Sequence, residues 1–320
     1  MGNRNVIITG ANSGIGKAAA VKFASEGYHV IMACRDLIKS KKALHEVVRI
    51  SKNEFVELME VDVSSFGSIR KFCSEFKQNH QKLDILIHNA GHFNHGMKTY
   101  QLSADKIELT FATNTFGPFL MTELLLDYLE KSDGPRVLSA NTTNIKHFFN
   151  PKREIEFGNL QGEYKTSRPY NAYKMYGDSK MGLLLLTYKM AEKYKPSGVK
   201  VNSLMVPAVK VSEETLKRLN LYYRTLGRLI QNVNPYSLSP KQMADIYFQI
   251  CTSDRFNNTT GSLISSDLNI ITPAQTNLPL NFYTLISELW NTKHMPAYAT
   301  NPEHINKMWA LSKKVGYRNK

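Results

Sequence analysis

A tyrosine and a lysine four residues apart occur twice in one short segment, YNAYKMYGDSK at 170–180. The pairs are Tyr170 with Lys174 and Tyr176 with Lys180. A free tyrosine hydroxyl has a pKa near 10, so it is a poor acid or base at neutral pH. A lysine one helical turn away lies on the same helix face, and its ammonium charge lowers the pKa of the phenol. Either pair could therefore exchange a proton with a substrate.

The flanking sequence favours Tyr176 and Lys180. They lead into the apolar run MGLLLLTYKM, which can bury one helix face against a sheet and hold the pair rigidly. Tyr170 follows a proline, which favours a loop or a helix start, so we expect the first pair in an exposed first turn. Tyr170 and Tyr173 would then be aromatics of the helix surface or of a substrate rim.

Short apolar runs alternate with helix-length patterns along the chain. The predicted strands are NVIIT (5–9), HVIMAC (29–34), VELMEV (56–61), LDILIH (83–88), RVLSA (136–140) and VKVNSLM (199–205). The predicted helices occupy 14–26, 37–51, 65–79, 103–130 and 176–195. This alternation is typical of an α/β fold, with right-handed βαβ units around a parallel sheet. Ligands of such sheets bind beyond the carboxyl ends of the strands, where we look for binding residues.

The first strand is followed by TGANSGIG at 9–16, which contains three glycines. Glycine lets the backbone turn sharply and approach a phosphate, and the following helix presents free N–H groups and its positive dipole end. Ordinary turns use glycine too, but this one has the flanking strand and helix that a dinucleotide site requires. The predicted contacts to the pyrophosphate are Gly10, Asn12, Ser13, Gly14, Ile15 and Gly16.

The end of the second strand, MACRDL at 32–37, indicates which dinucleotide binds. Proteins that take NAD usually carry an acidic residue here, which binds the ribose diol. This chain has Cys34 and then Arg35, whose guanidinium suits the 2′-phosphate of NADP(H). Asp36 could pair with Arg35 and weaken that preference. We predict NADP(H), with NAD(H) as the less favoured cofactor.

The third and fourth strand ends complete the predicted cofactor trench. Asp62 in VDV (61–63) is placed to accept a hydrogen bond from an adenine amino group, and Val63 follows it. The segment HNAG (88–91) supplies small residues that allow a cofactor close to the backbone, namely Asn89, Ala90 and Gly91. Either motif alone could be a plain turn, but in register with the first two strands both favour cofactor contacts.

These motifs together resemble the short-chain dehydrogenase/reductase family. TGANSGIG, Arg35, VDV, HNAG, FATNTFGPFLMTELLL (111–126) and YGDSK (176–180) have that family's order and approximate spacing. HVIMACRD, FATNTFGPFL and NKMWALSKK (306–314) resemble the retinol dehydrogenase subgroup, and WW-domain oxidoreductases and protochlorophyllide reductases are similar too. The resemblance implies a Rossmann-type, doubly wound parallel sheet of about seven strands in a single domain, 1–320. It also implies a nicotinamide cofactor and hydride transfer to or from a carbonyl or alcohol carbon.

The resemblance assigns roles to four residues. Tyr176 would be the proton donor, and Lys180 would lower its pKa and bind the nicotinamide ribose. Asn114 in FATNTFG would hold a water that feeds protons to the lysine. Thr142 stands where the family has a serine that hydrogen-bonds the substrate oxygen.

Thr142 is a departure from the family, because its methyl group crowds the site. Ser139 and Thr143 are the alternatives, although strand alternation points Ser139 away from the side of Tyr176. A second departure follows the sixth strand, where the family's Pro-Gly becomes Pro207 and an alanine.

The loop after the sixth strand is the predicted substrate side. Pro207 and Val209 are expected to contact the cofactor, and Ala208 in place of glycine allows a different loop path. The resemblance places a substrate lid around 208–236 and a C-terminal helical segment around 301–316. An amphipathic pattern at 213–233 fits an apolar substrate such as a retinoid, steroid, lipid aldehyde or aromatic ketone, although a core-facing or membrane-touching helix shows the same pattern.

Composition bounds the remaining possibilities. The chain has 320 residues, is 42% hydrophobic and has three scattered cysteines without metal-ligand spacing, which favours reduced thiols in the cytoplasm. No apolar run approaches the ~20 residues that span a bilayer. The net charge of +14 is spread without a nucleic-acid-binding motif, so we expect a basic surface, with weak peripheral membrane contact as the alternative. Nothing in the sequence indicates an oligomeric state.

Two functions remain open. The first is an NADP(H)-dependent oxidoreductase acting on a small apolar carbonyl or alcohol. The second is an NADPH-binding sensor or scaffold of the same fold with weak or no catalysis, which Thr142 and Ala208 motivate.

Overall fold

Strands and helices alternate along the chain, as the apolar pattern predicts. The computed structural model describes residues 4–94, 97–161, 163, 167–207, 209, 238–274 and 293–317. The strands are β1 (Asn5–Thr9), β2 (His29–Cys34), β3 (Val56–Glu60), β4 (Ile85–His88), β5 (Arg136–Thr142), β6 (Lys200–Val206), β7 (Ser262–Ile264), β8 (Ile270–Pro273) and β9 (His294–Met295). The helices are α1 (Gly14–Ser25), α2 (Leu37–Ser51), α3 (Phe66–Asn79), α4 (Leu109–Phe111), α5 (Gly117–Leu129), α6 (Ala172–Lys193), α7 (Pro240–Thr252) and α8 (Pro302–Gly316). A π-helical segment, Ala112–Phe116, joins α4 to α5.

The strands form one sheet in the order β3-β2-β1-β4-β5-β6-β7-β8-β9. All neighbours are parallel except β7 and β8. After β3 the chain crosses to the other side of β1, which makes the sheet doubly wound and opens a crevice at the carboxyl ends of β1 and β4. The predicted Rossmann-type α/β fold is therefore confirmed. The sheet has nine strands rather than about seven, because β8 and β9 are too short and too exposed to produce an apolar run.

Helices cover both faces of the sheet, and alternate residues of each strand point to opposite faces. Val6 and Ile8 of β1 belong to the core that includes Phe23 of α1. Ile7 between them belongs to the core on the other face, which includes Leu184 of α6. Burial on both faces explains why the strands read as continuous apolar runs.

Two helices differ from their predicted bounds in ways that affect the candidate site. Helix α6 begins at Ala172, with the Asn171 side chain as its N-cap, so Tyr176 lies inside the helix and not in its first turn. The helix predicted from residue 103 starts only at Leu109, because the preceding residues form a bridge between Leu102 and Glu108. Within the described ranges, no helix is both long enough and apolar enough to cross a bilayer.

Candidate active site

In the glycine turn after β1, Gly10 lies close to the backbone of Ala90, and Gly16 lies close to the backbone of Gly10. Gly10 has φ +66°, and a Cβ on it would lie 3.1 Å from Ala90 Cα. A Cβ on Gly16 would lie 2.3 Å from the carbonyl oxygen of Gly10, so only glycine lets α1 start this near the turn. Gly14 has φ +54° and no heavy atom within 4 Å of its Cβ position, which leaves the outer side of the turn open.

The N-terminus of α1 faces this open side without a side-chain cap. Ser13 precedes the helix in an extended conformation, and its hydroxyl forms no capping hydrogen bond. Ser13 and Gly14 are exposed, and Asn12 and Ile15 are half-buried. The first N–H groups of the helix therefore remain available, and together with the helix dipole they form an anion-binding site that fits a pyrophosphate.

Arg35 follows the end of β2 and is exposed, and the next residue, Asp36, has a different partner. The Asp36 carboxylate accepts a hydrogen bond from the backbone N–H of Lys39 at 3.0 Å and forms an ion pair with Lys39 Nζ at 2.8 Å. Asp36 thus caps α2 instead of neutralising Arg35. The charge of Arg35 acts on His92, whose pKa is lowered first by burial and then by this guanidinium.

The segment after β4 is fastened to the end of β1 by Thr9. The Thr9 hydroxyl accepts hydrogen bonds from the backbone N–H groups of Asn89 and Ala90, both at 3.0 Å. The Asn89 side chain donates to the Thr9 carbonyl oxygen at 3.0 Å and accepts from the Tyr247 hydroxyl at 3.2 Å. The sequence analysis did not identify Thr9. A hydroxyl at the end of a buried strand beside a glycine turn is nevertheless a signal that it binds backbone groups of the neighbouring strand end.

At the end of β3, Asp62 is half-buried and partly committed to its own turn. Its Oδ1 accepts from the backbone N–H and the hydroxyl of Ser64, at 2.9 and 2.7 Å. Val63 is buried, and a Cβ on Gly117 would lie 2.0 Å from the Val63 carbonyl oxygen. Glycine at 117 is therefore required for α5 to pass this strand end.

Gly91, Asn114 and Lys180 converge beside this trench. A Cβ on Gly91 would lie 3.6 Å from Asn114 Oδ1 and 3.7 Å from Lys180 Nζ. Asn114 Oδ1 accepts from the backbone N–H of His92 at 2.8 Å, and Asn114 Nδ2 donates to Ser179 Oγ at 3.0 Å. Asn114 lies in the π-helical segment, a local widening of a helix that is frequent at functional sites.

Lys180 is buried at the centre of this arrangement. Its Nζ donates to the carbonyl oxygen of Ala140 in β5 at 2.7 Å. Burial lowers the pKa of Lys180 to about 8. An ammonium with so little solvation is a strong local source of positive potential for any group beside it.

Tyr176 and Thr142 form the next part of the site. Tyr176 is half-buried. Burial raises the pKa of its phenol, and a side-chain hydrogen bond with Thr142 opposes that rise. Asn141 holds the neighbouring strand end in place, because its Oδ1 accepts from the Thr142 N–H at 2.8 Å and its Nδ2 donates to the Lys180 carbonyl oxygen at 3.1 Å. Of the two alternatives to Thr142, Ser139 is fully buried within β5 and Thr143 is exposed.

Phe93 adds an aromatic wall that the sequence reading missed. Its ring is stacked on Tyr176, with centroids 4.6 Å apart, and meets Tyr173 edge to face at 5.0 Å. Tyr173 is exposed, as a rim residue should be. The approach to the phenol is therefore lined by apolar rings.

The expectation that Tyr170 and Lys174 form an exposed first turn is wrong. Tyr170 precedes α6 and is buried, and its hydroxyl donates to Glu108 Oε1 at 2.9 Å. Glu108 is fully buried, so it needs that donor, and burial raises its pKa. Lys174 forms ion pairs with Asp178 and Glu156, at 2.7 and 2.9 Å. This tyrosine and this lysine therefore have separate structural partners.

Comparisons with known proteins show which proteins this chain resembles. The sequence profile of the family described as short chain dehydrogenase matches residues 4–146. Mouse retinol dehydrogenase 12 is 38% identical over 210 residues, 66% of this chain and 62% of that protein. Human retinol dehydrogenase 13 is 35% identical over 63% of this chain and 57% of that protein. The chain is similar in sequence to the short-chain dehydrogenase/reductase family over residues 4–146. The resemblance to the retinol dehydrogenase subgroup is confirmed as well, although the matches span only about three fifths of the length of these relatives.

Solved structures agree with the fold of this chain. The crystal structure of an uncharacterised protein from Mycobacterium paratuberculosis superposes with a TM-score of 0.64 at 24% identity, covering 98% of this chain and 93% of that one. At this level of identity the likeness shows the fold alone.

The segment predicted to form the substrate side is only partly described. Pro207 follows the end of β6 and is half-buried, and Val209 pairs with Leu238 in an isolated parallel bridge. Ala208 and nearly all of the expected lid around 208–236 lie outside the described residues. The C-terminal segment expected around 301–316 is occupied by α8.

Proposed function

We propose that this protein is an NADP(H)-dependent oxidoreductase that interconverts a carbonyl and an alcohol of an apolar substrate. The observation that carries the proposal is the convergence of Tyr176, Thr142, Lys180 and Asn114 at the carboxyl edge of the sheet. The chain of contacts from the glycine turn to that convergence is continuous. Gly10 packs on Ala90, and Gly91, the next residue, lies beside both Asn114 and Lys180.

A nicotinamide cofactor, when bound, supplies the hydride for reduction of the carbonyl carbon or accepts it in the reverse direction. Tyr176 donates its phenolic proton to the substrate oxygen, which completes the alcohol. Thr142 donates a hydrogen bond to the same oxygen as negative charge develops on it, an electrostatic contribution that is often the largest in such reactions. Its methyl group limits the space beside that oxygen.

Lys180 stabilises the phenolate that remains when Tyr176 has given up its proton. Its charge acts strongly because the ammonium is buried, and Ala140 holds it in position. Asn114 is held by His92 and Ser179 and supports a water that returns a proton to the lysine. The helix fixes Tyr176 and Lys180 one turn apart, so little freedom is lost when the substrate reacts.

The choice of NADP(H) is supported by Arg35 and by the orientation of Asp36. The guanidinium is exposed and its acidic neighbour is engaged with Lys39, so a 2′-phosphate would meet a positive charge that is not already neutralised. Cys34 at the end of β2 is buried and offers no carboxylate for a ribose diol. NAD(H) therefore remains the less favoured cofactor.

The apolar nature of the substrate is supported by the rings of Phe93 and Tyr173 beside Tyr176. Relatives of this chain are retinol dehydrogenases, so retinoids are the first class to test, followed by steroids, lipid aldehydes and aromatic ketones. A polar sugar would lose more hydration on entering such a site than it could recover.

Weak contact with an anionic bilayer is the proposed secondary interaction, because the chain carries a net charge of +14. Sedimentation with vesicles that contain a tenth to a third of anionic lipid, at low and high salt, tests it. Equal recovery in the supernatant with neutral and anionic vesicles at low salt would contradict it.

A single assay separates the enzyme from an NADPH-binding protein that does not turn over, the function that Thr142 in place of serine would favour. NADPH and NADH oxidation are followed with all-trans-retinal, a steroid ketone, a long-chain aldehyde and an aromatic ketone, and binding of each cofactor is measured by fluorescence. We expect NADPH-dependent turnover of at least one apolar carbonyl. Tight NADPH binding without turnover of any of them would favour the sensor or scaffold.

A further inference from the structure

Three metal-ligating side chains meet at the amino-terminal edge of the sheet, away from the cofactor trench. His29 is the first residue of β2, whose other end leads to Arg35. Glu57 lies in the neighbouring strand β3, and His80 directly follows α3. One ligand atom from each of the three side chains lies within 4.8 Å of the other two. The proposed oxidoreductase chemistry uses none of these residues.

The separation of His29 from Glu57 is close to that between two ligands of one metal ion, and the separation of His80 from Glu57 is shorter. Glu57 Oε1 lies 2.7 Å from His80 Nε2 and 3.6 Å from His29 Nε2. In tetrahedral zinc sites, with metal–ligand bonds of about 2.0–2.2 Å, ligand atoms lie about 3.4 Å apart. Side-chain rotations alone could therefore bring the three atoms to bonding distance of one ion.

The hydrogen bonding of the His80 ring leaves the lone pair of Nε2 directed toward Glu57 Oε1. Its Nδ1 lies 3.1 Å from the carbonyl oxygen of Phe76, which can only accept, so Nδ1 carries a proton. In the neutral ring Nε2 is then an acceptor, and it faces another acceptor, Glu57 Oε1. This oxygen is itself buried, and the ring nitrogen of His80 lies 2.7 Å from it. A cation between the two atoms removes the repulsion, either as a second proton on the ring or as a metal ion.

The surroundings fit the metal better than the proton alone. A second proton on His80 would form a hydrogen bond to Glu57 Oε1 but would not involve His29. The Nε2 of His29 also lies near this carboxylate oxygen, at 3.6 Å. Hydrogen bonding of the distal ring nitrogen to a backbone carbonyl is the usual outer-shell partner of a ligating histidine. The His80 side chain is 6% exposed, whereas those of His29 and Glu57 are 25% and 36% exposed, so an ion can enter from solvent.

We propose that His29, Glu57 and His80 form a binding site for a first-row transition-metal dication, with Zn²⁺ the best match. Two imidazoles and one carboxylate are ligands that suit zinc, and the exposed side leaves a fourth position for water. The bound ion ties the ends of β2 and β3 to the end of α3. The role is therefore to stabilise this edge of the sheet.

The test uses the full chain without an affinity tag, stripped of metal with a chelator. Zn²⁺ is titrated by calorimetry, and Co²⁺ serves as an optical probe, because tetrahedral cobalt has intense visible absorption bands. The ligand variants are His29→Gln and Glu57→Gln, since both side chains are partly exposed and their loss should leave the fold intact. His45→Gln is the matched control, because His45 is an exposed histidine on α2.

We expect one Zn²⁺ per chain, visible cobalt bands and a higher melting temperature with Zn²⁺ in the wild type and in His45→Gln. Each ligand variant should bind Zn²⁺ more weakly by at least the 10- to 100-fold that is typical for loss of an outer-shell partner. Absence of stoichiometric binding would leave only an imidazolium–carboxylate pair and overturn the proposal. Binding that is equal in wild type and ligand variants would place the ion elsewhere and overturn it as well. Neither result depends on catalytic activity.

Discussion

The ring of Phe93 is stacked on that of Tyr176, with centroids 4.6 Å apart and planes inclined by 20°. The phenol that we propose as proton donor thus has an aromatic face on one side. Phe93→Ala would remove this apolar wall, and an aromatic pair of this kind contributes about 0.5–1.5 kcal/mol beyond area burial. We expect the KM for an apolar carbonyl substrate to rise about 2- to 13-fold while the Kd for NADPH stays within twofold. Steady-state kinetics and cofactor titration measure the two effects, with the exposed Phe55→Ala as the control.

The two tyrosines of the repeated motif provide a matched pair of substitutions. Tyr176→Phe should lower kcat by at least ~100-fold, the usual contribution of a positioned general acid, with NADPH affinity retained. Tyr170→Phe should keep kcat within a few fold, but it should lower the free energy of unfolding by about 1–3 kcal/mol because buried Glu108 loses a donor. Turnover assays and denaturant titrations of both variants check this. The reverse pattern would transfer the acid role to Tyr170.

Burial of Lys180 predicts a distinct pH dependence of stability. Its pKa in the folded protein is about 8, below the ordinary value of 10.5, so the unfolded chain binds more protons between these two values. The contribution of Lys180 to the free energy of unfolding therefore increases as pH rises from 8 to 10.5, by on the order of 3 kcal/mol, and this gain is lost again as pH falls from 10.5 to 8. The difference in unfolding free energy between wild type and Lys180→Met, measured from pH 7 to pH 10, should follow this slope. A difference that does not change with pH would contradict a buried, titrating lysine.

The end of β2 predicts cofactor preference. Arg35→Ala should raise the KM for NADPH about 10- to 100-fold, because a charge-assisted contact contributes about 1.5–3 kcal/mol, and should change the KM for NADH less than twofold. Lys41→Ala removes an exposed charge of α2 that does not contact Asp36 and is the control. If both cofactors lose affinity equally in Arg35→Ala, the guanidinium does not read the 2′-phosphate.

The geometry of the glycine turn predicts that alanine substitutions at Gly16 and Gly14 reduce NADPH affinity to different degrees. Gly16→Ala would place a Cβ 2.3 Å from the Gly10 carbonyl oxygen, so the start of α1 must move. We expect a loss of about 1–3 kcal/mol in unfolding free energy and at least a 10-fold loss of NADPH affinity. Gly14→Ala meets no atom within 4 Å, so its cost is the left-handed backbone at φ +54°, about 1–2 kcal/mol, without displacement of the helix. Thermal unfolding and cofactor titration should therefore show the larger loss of affinity for Gly16→Ala.

Much of the architecture was determined by the sequence itself. Continuous apolar runs, glycine at the first turn and helix-length patterns are local signals; they located β1 to β6 and predicted the cofactor edge. The choice of Tyr176 over Tyr170 also came from neighbouring residues, namely the apolar run that α6 buries against the sheet. In each case the physical cause lies within a few residues of its effect.

Only the tertiary structure decided features that depend on residues far apart in the chain. Tyr170 was expected on the surface, but Glu108, 62 residues earlier, needs its hydroxyl in the core. The stacking of Phe93 on Tyr176 and the meeting of His29, Glu57 and His80 likewise join segments from different elements. Local periodicity reports how each segment is buried, whereas the partner of a buried polar or aromatic group is set by how the segments pack around the sheet.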